Sequence, residues 1–121
     1  MTGAYALLIT GKEPLARLSQ EALERAGFHV QVENTGARAQ VQLAFTNPDL
    51  VVLDLNLPDM PGEVILRQLS AHDRLSHTRL ILLVEENLEA PPSPKVTSEA
   101  VLAQPFAAPD LAALAAAVFG G

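Results

Sequence analysis

The sequence predicts an α/β fold in which five parallel strands form one doubly wound sheet, in the order 2-1-3-4-5, with helices on both faces. Three features predict it. Apolar runs of strand length alternate along the chain with segments whose apolar residues recur at helical spacing. The length of 121 residues suits one domain. A hydrophobic content of 49% with 18% charged residues is enough for a substantial core, so residues 1–121 are treated as a single domain.

Each predicted strand is a short apolar run that ends at turn-forming residues. The runs cover residues 4–10, 28–33, 50–53, 80–84 and 100–103. Most are almost continuously apolar, which is typical of parallel strands buried on both faces, whereas the second alternates. Because right-handed crossovers join such strands through helices, the doubly wound order is favoured.

Helical spacing of apolar residues predicts four helices, over residues 14–26, 37–45, 63–70 and 110–119. Pro14 suits a first helical turn and Gly27 suits a C-terminal stop. Asp110 suits an N-cap or first-turn acid. The second helix is predicted from a single face that carries Val41, Ala44 and Phe45.

The segment of residues 85–99 interrupts this alternation. It contains three prolines and little helical periodicity, and consecutive prolines cannot lie inside a helix. The helix expected between the fourth and fifth strands is therefore predicted to be shortened or irregular.

Charge and composition exclude several classes of function. A formal net charge of −6 and a pI of about 4.9 oppose direct binding to nucleic acid or to anionic membranes. The absence of cysteine excludes disulfides, thiolate metal sites and cysteine nucleophiles, and it is compatible with a cytoplasmic protein. The N-terminal apolar run lacks a basic flank and is too short to span a membrane.

The stretch VVLDLNLPDMPG places a carboxylate, Asp54, at the end of a buried strand. The turn that follows is rich in prolines and ends at Gly62. In doubly wound sheets, functional groups lie at the carboxyl ends of the strands, and the third strand is next to the point where the strand order reverses. Asp54 is therefore the leading candidate for a functional residue.

This stretch resembles the phosphoacceptor strand and following loop of the receiver domain of two-component response regulators, a CheY-like, flavodoxin-like fold. The first strand and helix, and the "QPF" turn after the fifth strand, are also similar, so the resemblance covers essentially the whole chain. It implies an aspartate that accepts a phosphoryl group from a partner's phosphohistidine. Catalysis of such a transfer rests mainly on positioning and charge stabilisation.

The resemblance also implies the residues around the acceptor. The family holds a divalent cation with an acidic pair after the first strand, the acceptor, and a backbone carbonyl two residues later. Asp54 matches the acceptor, and the carbonyl position falls on Asn56. A hydroxyl residue after the fourth strand and a lysine after the fifth bind the phosphoryl oxygens in the family.

The other pocket positions depart from the family. Gly11 and Lys12 occupy the positions of the acidic pair, Val84 the hydroxyl position and Gln104 the lysine position. Mg²⁺ binds weakly to a single carboxylate, and Lys12 adds a positive charge beside Asp54. We therefore expect Mg²⁺ binding to be weak or lost, with no resident cofactor.

These departures favour an atypical receiver that acts through protein partners, such as a sensor histidine kinase or a downstream effector, with weak or absent metal-dependent phosphorylation. The alternative is a single-domain response regulator or relay intermediate that a sensor kinase phosphorylates on Asp54, with Lys12 in place of the metal. A third hypothesis is an enzyme or nucleotide-binding protein on the same scaffold. The "TGK" stretch lacks the glycines of a phosphate-binding loop, and no catalytic residues are predicted.

Weaker candidates remain open. An acidic group could form a rearranged cation site near Asp54, or it could be a solvated loop: Glu13, Glu85, Glu86 and Glu89. The three histidines have no metal-ligand spacing: His29, His72 and His77. By resemblance, partners would meet the first helix at Leu15, Leu18 and Leu23, or the last strand and helix near Phe106. The sequence also allows a homodimer.

Overall fold

Five parallel strands form one sheet in the order β2-β1-β3-β4-β5 in the structure, a computed structural model that describes residues 4–85, 99–104 and 106–120. The strands are β1 (Tyr5–Ile9), β2 (His29–Glu33), β3 (Leu50–Asp54), β4 (Arg79–Glu85) and β5 (Glu99–Gln104). All neighbouring pairs are parallel, and the register sets Leu8 beside both Val32 and Val52. The predicted fold class and strand order are confirmed.

Four α-helices connect or follow the described strands: α1 (Glu13–Arg25), α2 (Gly36–Phe45), α3 (Gly62–Ala71) and α4 (Ala108–Gly120). Pro14 lies in the first turn of α1, and Gly27 follows α1 with a φ of 101°. A short 3₁₀ turn, Asp73–Leu75, was not predicted. None of these helices is long and apolar enough to cross a membrane. The predicted irregular segment falls mainly on residues 86–98, outside the described residues.

The core consists of two layers, one on each face of the sheet. In β1, Leu7 and Ile9 face the layer formed with α2 and α3, whereas Ala6 and Leu8 face the layer formed with α1 and α4. Successive side chains of a strand point to opposite faces, so a strand covered on both sides must be apolar at nearly every position. This requirement explains the continuous apolar runs of β1, β3 and β4.

Helix α2 forms where the sequence predicts it, but a different face packs on the sheet. The buried residues are Gly36, Ala39 and Leu43. The apolar face that predicted the helix, which includes Val41 and Phe45, is exposed. Leu43 is the one large apolar residue among these three, so the core face carries less apolar bulk for a periodicity search to detect than the exposed face does.

The loop between β3 and α3 is fastened to its surroundings. The Asp59 carboxylate accepts hydrogen bonds from the backbone N–H groups of Gly36, at 2.8 Å, and Ala37, at 3.0 Å. Gly62 lies against Leu55, whose Cα would be 2.7 Å from a Cβ at position 62. The contacts of Asp59 and Gly62 therefore hold in place the loop that follows Asp54.

Candidate functional site

Asp54 lies at the carboxyl end of β3, between the neighbouring strands β1 and β4, and its side chain is only 1% exposed. Both carboxylate oxygens are engaged. Oδ1 accepts a 2.9 Å hydrogen bond from the backbone N–H of Asn56. Oδ2 accepts a 2.7 Å hydrogen bond from Oγ1 of Thr10, which is also fully buried. A buried carboxylate needs such partners, because leaving one unpaired is costly.

Lys12 approaches the same carboxylate oxygen. Its Nζ lies 3.6 Å from Oδ2 of Asp54 and 3.2 Å from Oε1 of Gln104. The pairing of Lys12 with Asp54 that the sequence predicted is therefore present. The backbone N–H of Lys12 also donates to Oγ1 of Thr10, at 3.2 Å, so the loop after β1 is tied to Asp54 twice.

The contact between Lys12 and Gln104 crosses the carboxyl edge of the sheet. Lys12 follows β1 and Gln104 ends β5, and two strands, β3 and β4, lie between them. Neighbouring strands are about 4.8 Å apart, so the two side chains together bridge roughly 14 Å. The bridge passes the end of β3, where Asp54 is buried. Among the described residues, no acceptor lies within reach of the buried Nε2 of Gln104.

Gly11, at the first position of the family's acidic pair, has no room for a side chain. A Cβ at this position would lie 2.8 Å from Cδ of Pro58 and 3.1 Å from the carbonyl oxygen of Asn34. Real Cβ atoms essentially never come within 3.0 Å of another heavy atom. Pro58 therefore fills the space into which an acidic side chain would extend.

Val84, at the family's hydroxyl position, is buried in the core layer with α2 and α3 and offers no polar group. Of the six residues that the sequence singled out, the structure connects four by hydrogen bonds or an ion pair: Lys12, Asp54, Asn56 and Gln104. The other two, Gly11 and Val84, contribute no donor or acceptor from a side chain.

These residues do not fit a magnesium site. Mg²⁺ takes oxygen ligands in near-octahedral geometry, and an ammonium group beside Asp54, the one carboxylate that the described side chains place in the pocket, opposes a second cation. Within the described parts of the chain, no three acidic or histidine side chains come together in a way that could hold a metal ion. Two of the acids considered for a rearranged cation site, Glu86 and Glu89, lie outside the described residues.

Sequence reasoning did not identify Thr10. The signal was present, because Thr10 is a polar residue at the end of an otherwise apolar strand, one strand away from Asp54. In parallel sheets, adjacent strands bring their carboxyl ends to the same edge. Two polar residues at the ends of neighbouring buried strands are therefore expected to meet.

The surfaces proposed for partners need one correction. Leu23, one of the three leucines assigned to docking on the first helix, is fully buried in the core. Leu15 and Phe106 are partly buried and pack against the same core layer. Helical spacing identified Leu23 as part of an apolar face, but that residue faces the sheet and cannot contact a partner.

Comparison with known proteins identifies the family of the chain. The response regulator receiver domain family matches residues 7–115. The transcriptional regulatory protein GltR of Pseudomonas aeruginosa is 32% identical over 88 residues, which cover 73% of this chain and 36% of GltR. The alkaline phosphatase synthesis transcriptional regulatory protein PhoP of Bacillus subtilis is 25% identical over 100 residues, which cover 83% of this chain and 42% of PhoP. The chain thus spans less than half the length of these curated relatives.

Solved structures of similar fold agree with this assignment. The chemotaxis response regulator CheY4 of Vibrio cholerae superposes with a TM-score of 0.83 at 21% identity, covering 98% of this chain and 100% of CheY4. A CheY-like response regulator receiver domain from Methylobacillus flagellatus gives a TM-score of 0.82 at 21% identity, covering 97% and 99% of the two chains. With the sheet order and the position of Asp54, the match over residues 7–115 shows that the chain belongs to the response regulator receiver domain family of two-component signal transduction.

Proposed function

We propose that this receiver domain signals as a protein interaction module in which metal-dependent phosphorylation of Asp54 is weak or absent. The observation that carries the proposal is the environment of Asp54 Oδ2. This oxygen accepts a hydrogen bond from Thr10 and faces the Lys12 ammonium at 3.6 Å, in a side chain that is 1% exposed. In this proposal the receiver domain binds proteins and does not itself catalyse a reaction.

The chemistry of phosphoryl transfer explains why this environment matters. The acceptor oxygen and the leaving oxygen must be nearly in line with phosphorus, and the charge of the equatorial oxygens must be stabilised. The approach of a phosphoryl group to Asp54 requires a lone pair on a carboxylate oxygen and space beside it. Each oxygen already accepts a hydrogen bond, one from Thr10 and one from the backbone N–H of Asn56, so a phosphoryl group must share an oxygen with one of these donors. The Lys12–Gln104 bridge lies across the edge from which a phosphodonor would enter.

Charge supports protein partners over nucleic acid. The chain carries 14 acidic and 8 basic side chains, which gives a net charge of −6. A surface of this sign repels phosphate backbones and anionic lipids. We propose a cytoplasmic site of action, which the absence of cysteine supports because the cytoplasm keeps thiols reduced and offers no disulfides to a fold.

A second candidate function is metal-free phosphorylation of Asp54 by a sensor histidine kinase. The observation that favours it is the same Lys12 ammonium, which lies close enough to Asp54 to neutralise an arriving phosphoryl oxygen. In this case Lys12 replaces both the cation and the lysine of the family, whose position is occupied by Gln104.

Intact-mass analysis after incubation with acetyl phosphate, with and without Mg²⁺, tests both candidates. The set contains the unaltered chain, Asp54→Asn, Lys12→Ala, and the triple variant Lys12→Asp, Val84→Thr, Gln104→Lys with and without Asp54→Asn. Position 11 is left as glycine, because Pro58 fills the space there. Circular dichroism and thermal unfolding confirm that each variant is folded.

We expect no adduct on the unaltered chain and a Mg²⁺-dependent adduct of one phosphoryl group on the triple variant. Adding Asp54→Asn to the triple variant should remove that adduct. An adduct on the unaltered chain that requires both Mg²⁺ and Asp54 would refute the interaction-module proposal. An adduct that requires Asp54 but not Mg²⁺, and that disappears in Lys12→Ala, would favour the second candidate by showing metal-free phosphorylation that depends on Lys12.

A further inference from the structure

Helix α2 presents an apolar stripe to solvent on the side away from its core-facing residues. Ala37, Val41, Ala44 and Phe45 are all exposed, and they occupy positions i, i+4, i+7 and i+8 of the helix. Val41 is 58% exposed and Phe45 is 82% exposed. Single exposed apolar residues are ordinary, but a continuous stripe that includes a nearly bare phenylalanine indicates a contact surface.

A cavity lies at the N-terminal end of the same stripe. Its volume is about 410 Å³, and its lining residues are Glu33, Ala37, Arg38, Val41 and Gln42. An apolar cavity of about 150 Å³ is already large enough to hold benzene, so this one has room for a phenylalanine ring. One helix therefore carries a large projecting side chain near its C-terminus and a matching recess near its N-terminus.

We propose that α2 is a homodimer interface, in which two copies pack this helix antiparallel and each Phe45 enters the cavity of the other copy. The recess extends along α2 from Ala37 to Gln42, and a two-fold axis close to Val41 places Phe45 of one copy opposite Ala37 and Arg38 of the second. A projection and a recess side by side on one helix are what a self-complementary, two-fold interface requires. Ala37 and Ala44 are small enough for the helices to approach closely.

The charges of α2 are compatible with a second copy as the occupant. Each chain carries a net charge of −6, so an interface between copies must avoid bringing acidic groups together. Helix α2 contains no acidic residue, and Arg38 is its single charged side chain. Glu33, which also lines the cavity, is buried and accepts hydrogen bonds from the side chains of Gln31 and Gln42. Arg38 lines the cavity, where a guanidinium can stack on the face of the entering ring.

The surface area that two copies of α2 can bury limits the affinity of the dimer. A phenylalanine buries at most about 150–250 Å², and two short helices together bury less than the ~1,200 Å² that marks the lower limit of stable interfaces. The dimer should therefore be weak and reversible, with a dissociation constant on the order of 100 µM. Because the copies repel each other at long range, added salt should strengthen the association.

Sedimentation equilibrium of the full chain, from about 10 to 1,000 µM, provides the test. The unaltered chain should form dimers, and more of them in about 0.5 M NaCl. Phe45→Ser removes the projection, and Ala37→Leu fills the recess; each should weaken dimerisation by about tenfold or more. Both positions are exposed, so the fold should be retained. Val101→Ser is the matched control, because Val101 is 48% exposed on β5, at the opposite edge of the sheet.

Disulfide trapping provides a second, independent measurement, since the chain has no cysteine of its own. Val41→Cys lies at the proposed axis and should form a disulfide-linked dimer under mild oxidation much faster than Val101→Cys. A chain that stays monomeric throughout the concentration range, with equal trapping of the two cysteine variants, would overturn the proposal and assign the stripe to a different protein. A dimer that Val101→Ser weakens, and Phe45→Ser does not, would also overturn it.

Discussion

The loop after β3 and the loops after β1 and β5 meet at the same edge of the sheet, but they differ in how closely they follow the family pattern. The β3 loop, residues 55–61, keeps the pattern throughout, whereas the other two have exchanged their charged residues. The β3 loop also carries contacts that folding requires, through Asp59 to α2 and through Gly62 to Leu55. Lys12 and Gln104 contact each other, and Lys12 also contacts Asp54. The loop after β3 is therefore needed by the fold as well as by the pocket, whichever chemistry the pocket carries.

The loops after β1 and β5 contact each other beside Asp54. Gln104 is neutral, and the cation beside Asp54 is Lys12, which reaches it from the loop after β1 and donates to Gln104. A buried carboxylate without a cationic or hydrogen-bonding partner would destabilise the fold by several kcal/mol, in the range of about 3–5. Lys12, Thr10 and the backbone N–H of Asn56 supply these partners to Asp54.

The largest expected loss of stability comes from a substitution at Gly62, where the loop after β3 joins α3. Gly62→Ala adds a Cβ that would lie 2.7 Å from Cα of Leu55, a backbone atom that cannot move aside alone. We expect the free energy of unfolding to fall by about 2–3 kcal/mol, which urea denaturation measures directly. Arg67→Ala, an exposed position on the same helix, is the control and should change stability by less than about 0.5 kcal/mol. If the two variants are equally stable, the contact with Leu55 does not exclude a side chain at position 62.

The sequence was sufficient to predict the sheet order, because continuous apolar runs separated by helical spacing permit few other arrangements. It predicted the wrong core face for α2. Its buried face carries Gly36, Ala39 and a single large apolar residue, Leu43, whereas Val41 and Phe45 are exposed. Periodicity weighs apolar bulk, and the exposed face carries more large apolar residues than the buried one.

The candidate site was predictable only in part. The approach of Lys12 to Asp54 followed from the topology, because strands β1 and β3 are neighbours. The contact of Gly11 with Pro58 did not, since it depends on the path of two loops that no periodic pattern describes. The hydrogen bond of Thr10 was not predicted, because the resemblance to the family points to the two positions after it, Gly11 and Lys12.

A smaller loss of stability is expected at Gly11, where the loop after β1 contacts Pro58 in the loop after β3. Gly11→Ala brings a Cβ within 2.8 Å of Cδ of Pro58, and should reduce the free energy of unfolding by about 1–2 kcal/mol. Pro58→Ala removes the atom that is in the way. The double variant should therefore lose at least about 0.5 kcal/mol less unfolding free energy than the sum of the losses in the two single variants. Strictly additive costs would show that the carbonyl oxygen of Asn34, 3.1 Å away, or the backbone itself is what position 11 cannot accommodate.

The smallest effect concerns Asp59, the acid that fastens the loop after β3 to α2. Hydrogen bonds from the backbone N–H of Gly36, and then of Ala37, lower the pKa of Asp59 from its ordinary value of 3.8. A lowered pKa in the folded state means that ionised Asp59 stabilises the fold at every pH above the ordinary value. This contribution is lost as the pH falls through the lower folded value.

Thermal unfolding of Asp59→Asn beside the unaltered chain, from pH 7 down to the acid limit of the fold, measures this contribution. The unaltered chain should be the more stable at neutral pH, and the difference should shrink as the pH falls below the ordinary value. Because Asp59 is exposed, added salt should also reduce the difference at neutral pH. A difference that is the same at every pH would mean that position 59 holds the loop by its shape and hydrogen bonds alone. The ionised carboxylate would then not be what attaches the loop to the N-terminus of α2.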